Sequence, residues 1–162
     1  MTKARRANID DVLQNLTGSK KDGACNILVR VDFNVPMNPD GTISDDSRIR
    51  ASLPTIRKII ENSSKKCNAI LMSHMGRPKL VQKGEDDEKT REQRKQLSLR
   101  PVVDRLQLLL TESHKVTFVS DCIGPEVKDA VNDLPQEGGS VLLLENLRFY
   151  KQEEKNDDDF SK

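Results

Sequence analysis

Residues Ile27 to Pro36 read ILVRVDFNVP, and the fold turns on how this stretch is interpreted. Its period-two alternation predicts a strand with Val29, Val31, Phe33 and Val35 on one side and Arg30, Asp32 and Asn34 on the other. One side calls for a core, the other for water or a polar partner. An ordinary sheet with one wet face satisfies that pattern. The polar side also has chemistry to offer: Arg30 a forked cation, Asp32 an acceptor that orients such forks, Asn34 both donor and acceptor. Together they make a plausible wall for an anion site.

Working outward, Ala69 to Met72, Val116 to Val119 and Val141 to Leu144 are short apolar runs that fit buried strands. Helical patterns separate them. Ile49, Leu53, Ile56 and Ile60 form a stripe after a start at Asp45, Asp46 and Ser47, with Pro54 either kinking that helix or near its first turn. Ser98 can cap a helix to about Glu112 whose inner face is Val102, Val103, Leu106, Leu109 and Leu110, and Pro125 opens another that runs to Leu134. Strands alternating with helices predict an α/β fold, a parallel sheet with helices on both faces. Ligands of such sheets sit beyond the carboxyl ends of the strands. Arg30, Asp32, Asn34, His74, Arg77, Asn146 and Arg148 all fall at those ends.

The rest is plainer. Residues 1 to 24 form a polar lead-in with a short helix or turn around Ile9, Val12, Leu13 and Leu16, and Thr42 to Ser44 is a second short extended piece. The stretch from Lys79 to Gln96 mixes charges of both signs and reads as a solvated loop with some helix and no chemistry. Tyr150 to Lys162 is polar, with nothing to pack against in its own sequence.

A chain of 162 residues can bury roughly 70% of its unfolded surface. With no Trp, one Tyr and four Phe, its core must come mainly from Leu, Ile, Val and Ala. A net charge of +1 argues against coating nucleic acid or an anionic membrane. Cys25, Cys67 and Cys122 form no CxxC pair and read as reduced, semi-buried thiols, neither a zinc site nor a disulfide framework. There is no signal-peptide core and no run of 18 apolar residues, so no membrane span is expected and the default compartment is cytoplasmic.

Four blocks carry a family resemblance: RVDFNVP at Arg30 to Pro36, SRIRASLPTI at Ser47 to Ile56, SHMGRP at Ser73 to Pro78 and LLLENLRF at Leu142 to Phe149. In this order the chain resembles phosphoglycerate kinase, apart from a lengthened loop after the third block. The resemblance runs from about Asn8 to the end and covers less than half of the usual enzyme. It implies a Rossmann-like N-terminal domain over residues 1–162, present in part, that binds 3-phosphoglycerate or 1,3-bisphosphoglycerate. The matching positions are Arg30, Val31, Asp32, Phe33, Asn34, Arg48, Ser73, His74, Gly76, Arg77, Leu147 and Arg148, with Arg48 the catalytic candidate. Mg2+ with ADP or ATP belongs, by the same resemblance, to a carboxyl-terminal nucleotide-binding domain, and the complete enzyme is expected to be a monomer. No GxxxxGK[ST] or GxGxxG motif occurs here.

Each residue also has a plainer reading. Arg48 could pair with Asp45 or Asp46, His74 could bond backbone, Arg77 could be a turn residue, and Arg148 could pair with Glu145 or the acidic tail. His114 has only its plain reading. The rival function is a non-catalytic module binding phosphorylated small anions.

Overall fold

A computed structural model describes residues 8–17, 25–62, 66–83 and 86–160. In chain order the elements are α1 (Ile9–Thr17), β1 (Cys25–Arg30), α2 (Ser47–Ile60), β2 (Cys67–Met72), α3 (Glu88–Gln96), α4 (Arg100–Leu110), β3 (Val116–Phe118), α5 (Pro125–Asn132), β4 (Val141–Leu143) and α6 (Lys151–Glu154). Short 3-10 turns occupy Val81–Lys83 and Leu147–Phe149. The four strands form one parallel sheet in the order β1-β2-β4-β3. It is therefore α/β, with helices on both faces.

Alternation along the strands sorts the core into two parts. Cys67, Ala69, Leu71, Val141, Leu143 and Val116 point to one face, where they meet Ile49, Ile56, Ile59 and Ile60 of α2, Val102, Leu106 and Leu110 of α4, and Leu13 of α1. Ile70, Leu142, Leu144 and Val119 point to the other, under Val127, Ala130 and Val131 of α5. The buried polar residue Asn68 sits on this second face with its amide satisfied by Asn26, Pro135 and the Ser140 N–H. β1 lies at a sheet edge, and its Leu28 is 57% exposed.

Several sequence expectations need correction. The first strand ends at Arg30, not Pro36. One further ladder bond, from the Val31 N–H to the Met72 carbonyl at 3.0 Å, carries the alternation on; then Val31 to Asn34 leave the sheet as a loop. Pro54 lies inside α2 rather than at its first turn. The charged stretch after Lys79, read as a loop with some helix, is helical over half its length. It contains α3, whose Asp87 side chain accepts the Thr90 N–H at 2.7 Å, with Glu88 in its first turn and Arg94 and Lys95 in its last. Its charges complement the helix dipole, so a segment with little to bury still folds locally. α4 starts at Arg100, two residues after Ser98, whose hydroxyl nevertheless accepts the Arg100 N–H at 3.1 Å. Thr42 to Ser44 contributes a single antiparallel bridge, Met37 to Ile43. Apart from α1, whose Leu13 is buried, the lead-in around residues 1–7 and 18–24 lies outside the described residues.

Candidate functional site at the carboxyl edge of the sheet

Three loops leave the carboxyl ends of β1, β2 and β4, and hydrogen bonds join them. Ser73 sits under the first: its hydroxyl donates to the Val31 carbonyl at 2.8 Å and accepts the Phe33 N–H at 2.9 Å. The Asn34 side-chain carbonyl accepts the Gly76 N–H at 2.9 Å. The Leu147 N–H donates to the Ser73 carbonyl at 3.0 Å. Asn146 completes the joint. Its amide donates to the carbonyls of Met75 and Leu97, and its side-chain oxygen accepts from the Met75 and Arg148 N–H groups.

On this frame the polar residues converge. Arg48, on the first turn of α2, reaches back across the rim to Asp32 at 2.5 Å. It does not pair with Asp45 or Asp46: Asp46 holds Arg50 and Arg105 instead. Arg148 donates Nη1–H to the Gly76 carbonyl at 3.1 Å. Its Nε lies 3.6 Å from Glu153 and 3.7 Å from Glu154, so the acidic tail, not Glu145, is its carboxylate neighbour. Arg30 donates to Glu153 at 2.6 Å. Phe33 is wholly buried in the first core and Leu147 in the second, supporting the loops from beneath, while Val31 is half-buried at the rim. Arg77 is exposed, with no side-chain hydrogen bond or ion pair among the described residues.

The electrostatics follow from this crowding. Burial, then the Arg148 charge, pushes the His74 imidazole below the ordinary histidine range, with Arg30 adding to the push and Asp32 and Glu153 opposing it. Partial burial works to raise the Asp32 carboxyl, yet the Arg48 hydrogen bond, the Asn34 N–H and the charges of Arg48 and His74 together hold it below the usual carboxylate range. The rim therefore presents an ionised aspartate, arginines on several sides, and an imidazole that an arriving anion would help to protonate. Among the described residues, no group of three or more His, Cys, Asp and Glu side chains could hold a metal ion. His114 keeps its structural role, with Nδ1 2.9 Å from the Gly139 carbonyl. Beside the site runs an open groove of about 1040 Å³. Two of its arginines are already stacked on rings, Arg94 on Phe149 and Arg100 on Phe118.

Three residues have roles in this frame that the sequence reading missed. Glu145, 6% exposed, accepts the Ser98 hydroxyl and the Leu99 and Asn146 N–H groups, and so fixes the start of α4 to the third loop. Gln82, from the charged stretch, donates to the Arg148 carbonyl and to Glu154. Glu153, the partner of Arg30, completes the set. ENLRF offered a signal for Glu145 and Asn146, since two polar residues directly follow a buried strand; Gln82 and Glu153 gave none, because their partners are 66 and 123 residues away. The tail also packs: the Tyr150 ring lies 5.7 Å from that of Phe160 and its hydroxyl donates to Asp121.

Comparison with known proteins agrees with this architecture. The phosphoglycerate kinase family profile matches residues 21–162. The chain is 49% identical over 136 residues to phosphoglycerate kinase 1, chloroplastic, of Arabidopsis thaliana, covering 84% of this chain and 24% of that protein. It is 47% identical over 150 residues to phosphoglycerate kinase of Prochlorococcus marinus, covering 93% of this chain and 33% of that one. The solved structure of phosphoglycerate kinase from Coxiella burnetii superposes with a TM-score of 0.60 at 30% identity, over 88% of this chain and 30% of that chain. The chain thus spans a quarter to a third of the length of these relatives. No described helix is long and apolar enough to cross a membrane. On the joined loops, the sheet order and these matches, the chain belongs to the phosphoglycerate kinase family.

Proposed function

We propose that the rim built by Arg30, Asp32, Asn34, Arg48, His74, Arg77 and Arg148 binds 3-phosphoglycerate and 1,3-bisphosphoglycerate, and that residues 1–162 are the acid-binding part of an N-terminal domain. The observation that carries this reading is the hydrogen bonding of three strand-end loops into one frame, which brings their basic side chains to a single edge. One exposed ion pair contributes only about 0 to 1 kcal/mol. Charge-assisted bonds from several fixed groups in a partly closed site contribute about 1.5 to 3 kcal/mol each, enough to hold a small polyanion.

In the complete enzyme the reaction is transfer of the acyl phosphate of 1,3-bisphosphoglycerate to ADP, a glycolytic step in the cytoplasm. A β-phosphate oxygen of ADP attacks the 1-phosphoryl phosphorus, the bond from phosphorus to the carboxyl oxygen breaks, and 3-phosphoglycerate leaves as a carboxylate. Mg2+ and ADP or ATP are assigned to none of this chain's residues and would be held by a carboxyl-terminal domain. Asp32 and Asn34 orient the glycerate hydroxyl and carboxylate. Arg48, half exposed on the first turn of α2 and paired with Asp32 at the rim, exchanges that partner for an anion and offsets charge on the transferred oxygens; positioning and charge compensation are what this chemistry needs. The complete enzyme is expected to be a monomer. By themselves the 162 residues are expected to bind the acid without turning it over.

Isothermal titration of the chain with 3-phosphoglycerate, glycerol 3-phosphate and inorganic phosphate tests this. The expected order is strongest for 3-phosphoglycerate, because only it offers carboxylate and phosphate together. Equal or absent binding of all three would refute the reading.

A further inference from the structure

Glu153 stands out among the carboxylates near the rim. Its side chain is only 11% exposed, and its two oxygens face two arginines of the site, Oε1 toward Arg30 Nη2 at 2.6 Å and Oε2 toward Arg148 Nε at 3.6 Å. Arg148 is confined from other directions as well. Its backbone N–H is held by Asn146, its carbonyl by Gln82, and its Nη1 by Gly76. Its Nε is buried without a hydrogen bond, so the carboxylates of Glu153 and Glu154 are what stabilises that end of the fork. Residues this near an anion site should, by charge alone, weaken it. The two arginines stabilise this carboxylate, so its cost falls on an arriving anion rather than on the fold.

We infer that Glu153 is a positioning residue of the anion site, setting the guanidinium planes of Arg30 and Arg148 so that their remaining N–H groups face the rim. This rests on the acid-binding reading given above. The reach matters as much as the charge, because one carboxylate spans two guanidiniums that belong to β1 and to the loop after β4. In enzymes a misplacement of about one ångström can cost about a hundredfold in rate, so the setting of such forks matters.

Two effects of opposite sign make the test decisive. Removing the charge in Glu153→Gln should strengthen anion binding if electrostatics alone operated, and weaken it if the arginines lose their setting. Glu153→Asp keeps the charge but shortens the reach. The experiment measures 3-phosphoglycerate Kd by titration for the 162-residue chain and both variants, together with their thermal midpoints and the NMR signals of the arginine Nε–H groups without ligand. The expected result is about tenfold weaker binding in both variants, with the sharp Arg148 Nε–H signal of the parent chain broadened or shifted. Tighter binding by Glu153→Gln would overturn the inference, as would a lowered thermal midpoint with unchanged Kd, which would mean that Glu153 merely fastens α6. If the parent chain binds no 3-phosphoglycerate, the acid-binding reading falls. The positioning claim then falls with it, whereas a parent chain that binds and variants that bind equally well would refute the positioning claim alone.

Discussion

Asn146 is wholly buried, and its side chain makes four hydrogen bonds to backbone groups of three segments. Deleting its amide strands those groups away from water, at about 1 to 3 kcal/mol for each one left unpaired. Asn146→Ala is therefore expected to lower unfolding free energy by about 3 kcal/mol or more, read as a fall in the urea midpoint at constant slope. His74 gives a prediction with a sign. Because burial and then Arg148 lower its pKa, the unfolded chain binds more protons than the folded one between that lowered value and the ordinary 6.5. Stability then rises with pH through the window and is lost as pH falls through it. Asp32, also lowered, contributes a loss in the same direction, at pH values below its ordinary 3.8. Denaturation midpoints at pH 7.5 and 5.5 should show a smaller acid loss in His74→Gln than in the parent; an unchanged difference would exclude His74 as its source. Most rim residues could be placed from sequence because they directly follow apolar strand runs, although Arg48, His74, Arg77 and Arg148 each also had a plainer reading. Gln82 and Glu153 could not be placed, since a glutamine or glutamate in a polar run looks solvated until the chain folds it against a distant loop.

At the scale of elements, strand and helix positions were readable from period two and from apolar stripes, because burial on two faces imposes them on sequence. Ends were less so. The alternation in ILVRVDFNVP outlasts its ladder: Phe33 and Val35 point inward from a loop, so the pattern reports burial rather than pairing. α3 was obscured for the opposite reason, as caps and dipole complementarity shape it rather than a core stripe. Its far end bears on the site. Gly76 has φ +61°, and a Cβ there would come within 2.7 Å of a Leu97 methyl, just past α3. The methyl can move but the left-handed backbone remains strained for any L side chain, by about 1 kcal/mol. Gly76→Ala is expected to lower stability by about 1 to 2 kcal/mol. It should also weaken 3-phosphoglycerate binding more than that loss accounts for, since the Gly76 carbonyl and N–H hold Arg148 and Asn34. Paired denaturation and titration experiments check both halves.

For the whole molecule, the sheet divides the interior into two cores, and the rim lies where loops from both meet. Phe33 from the first core and Leu147 from the second anchor opposite sides of the site. Binding at the rim should therefore be felt by the entire fold rather than by one loop. That coupling is the central claim, and thermal unfolding followed by circular dichroism with and without millimolar 3-phosphoglycerate tests it most directly. A ligand held only by the folded chain raises stability by RT ln(1 + [L]/Kd), about 2.7 kcal/mol at a hundredfold excess over Kd. The account predicts one cooperative transition whose midpoint rises by several degrees with 3-phosphoglycerate and not in Arg148→Gln. A transition unmoved by the ligand, or moved equally in the variant, would contradict it.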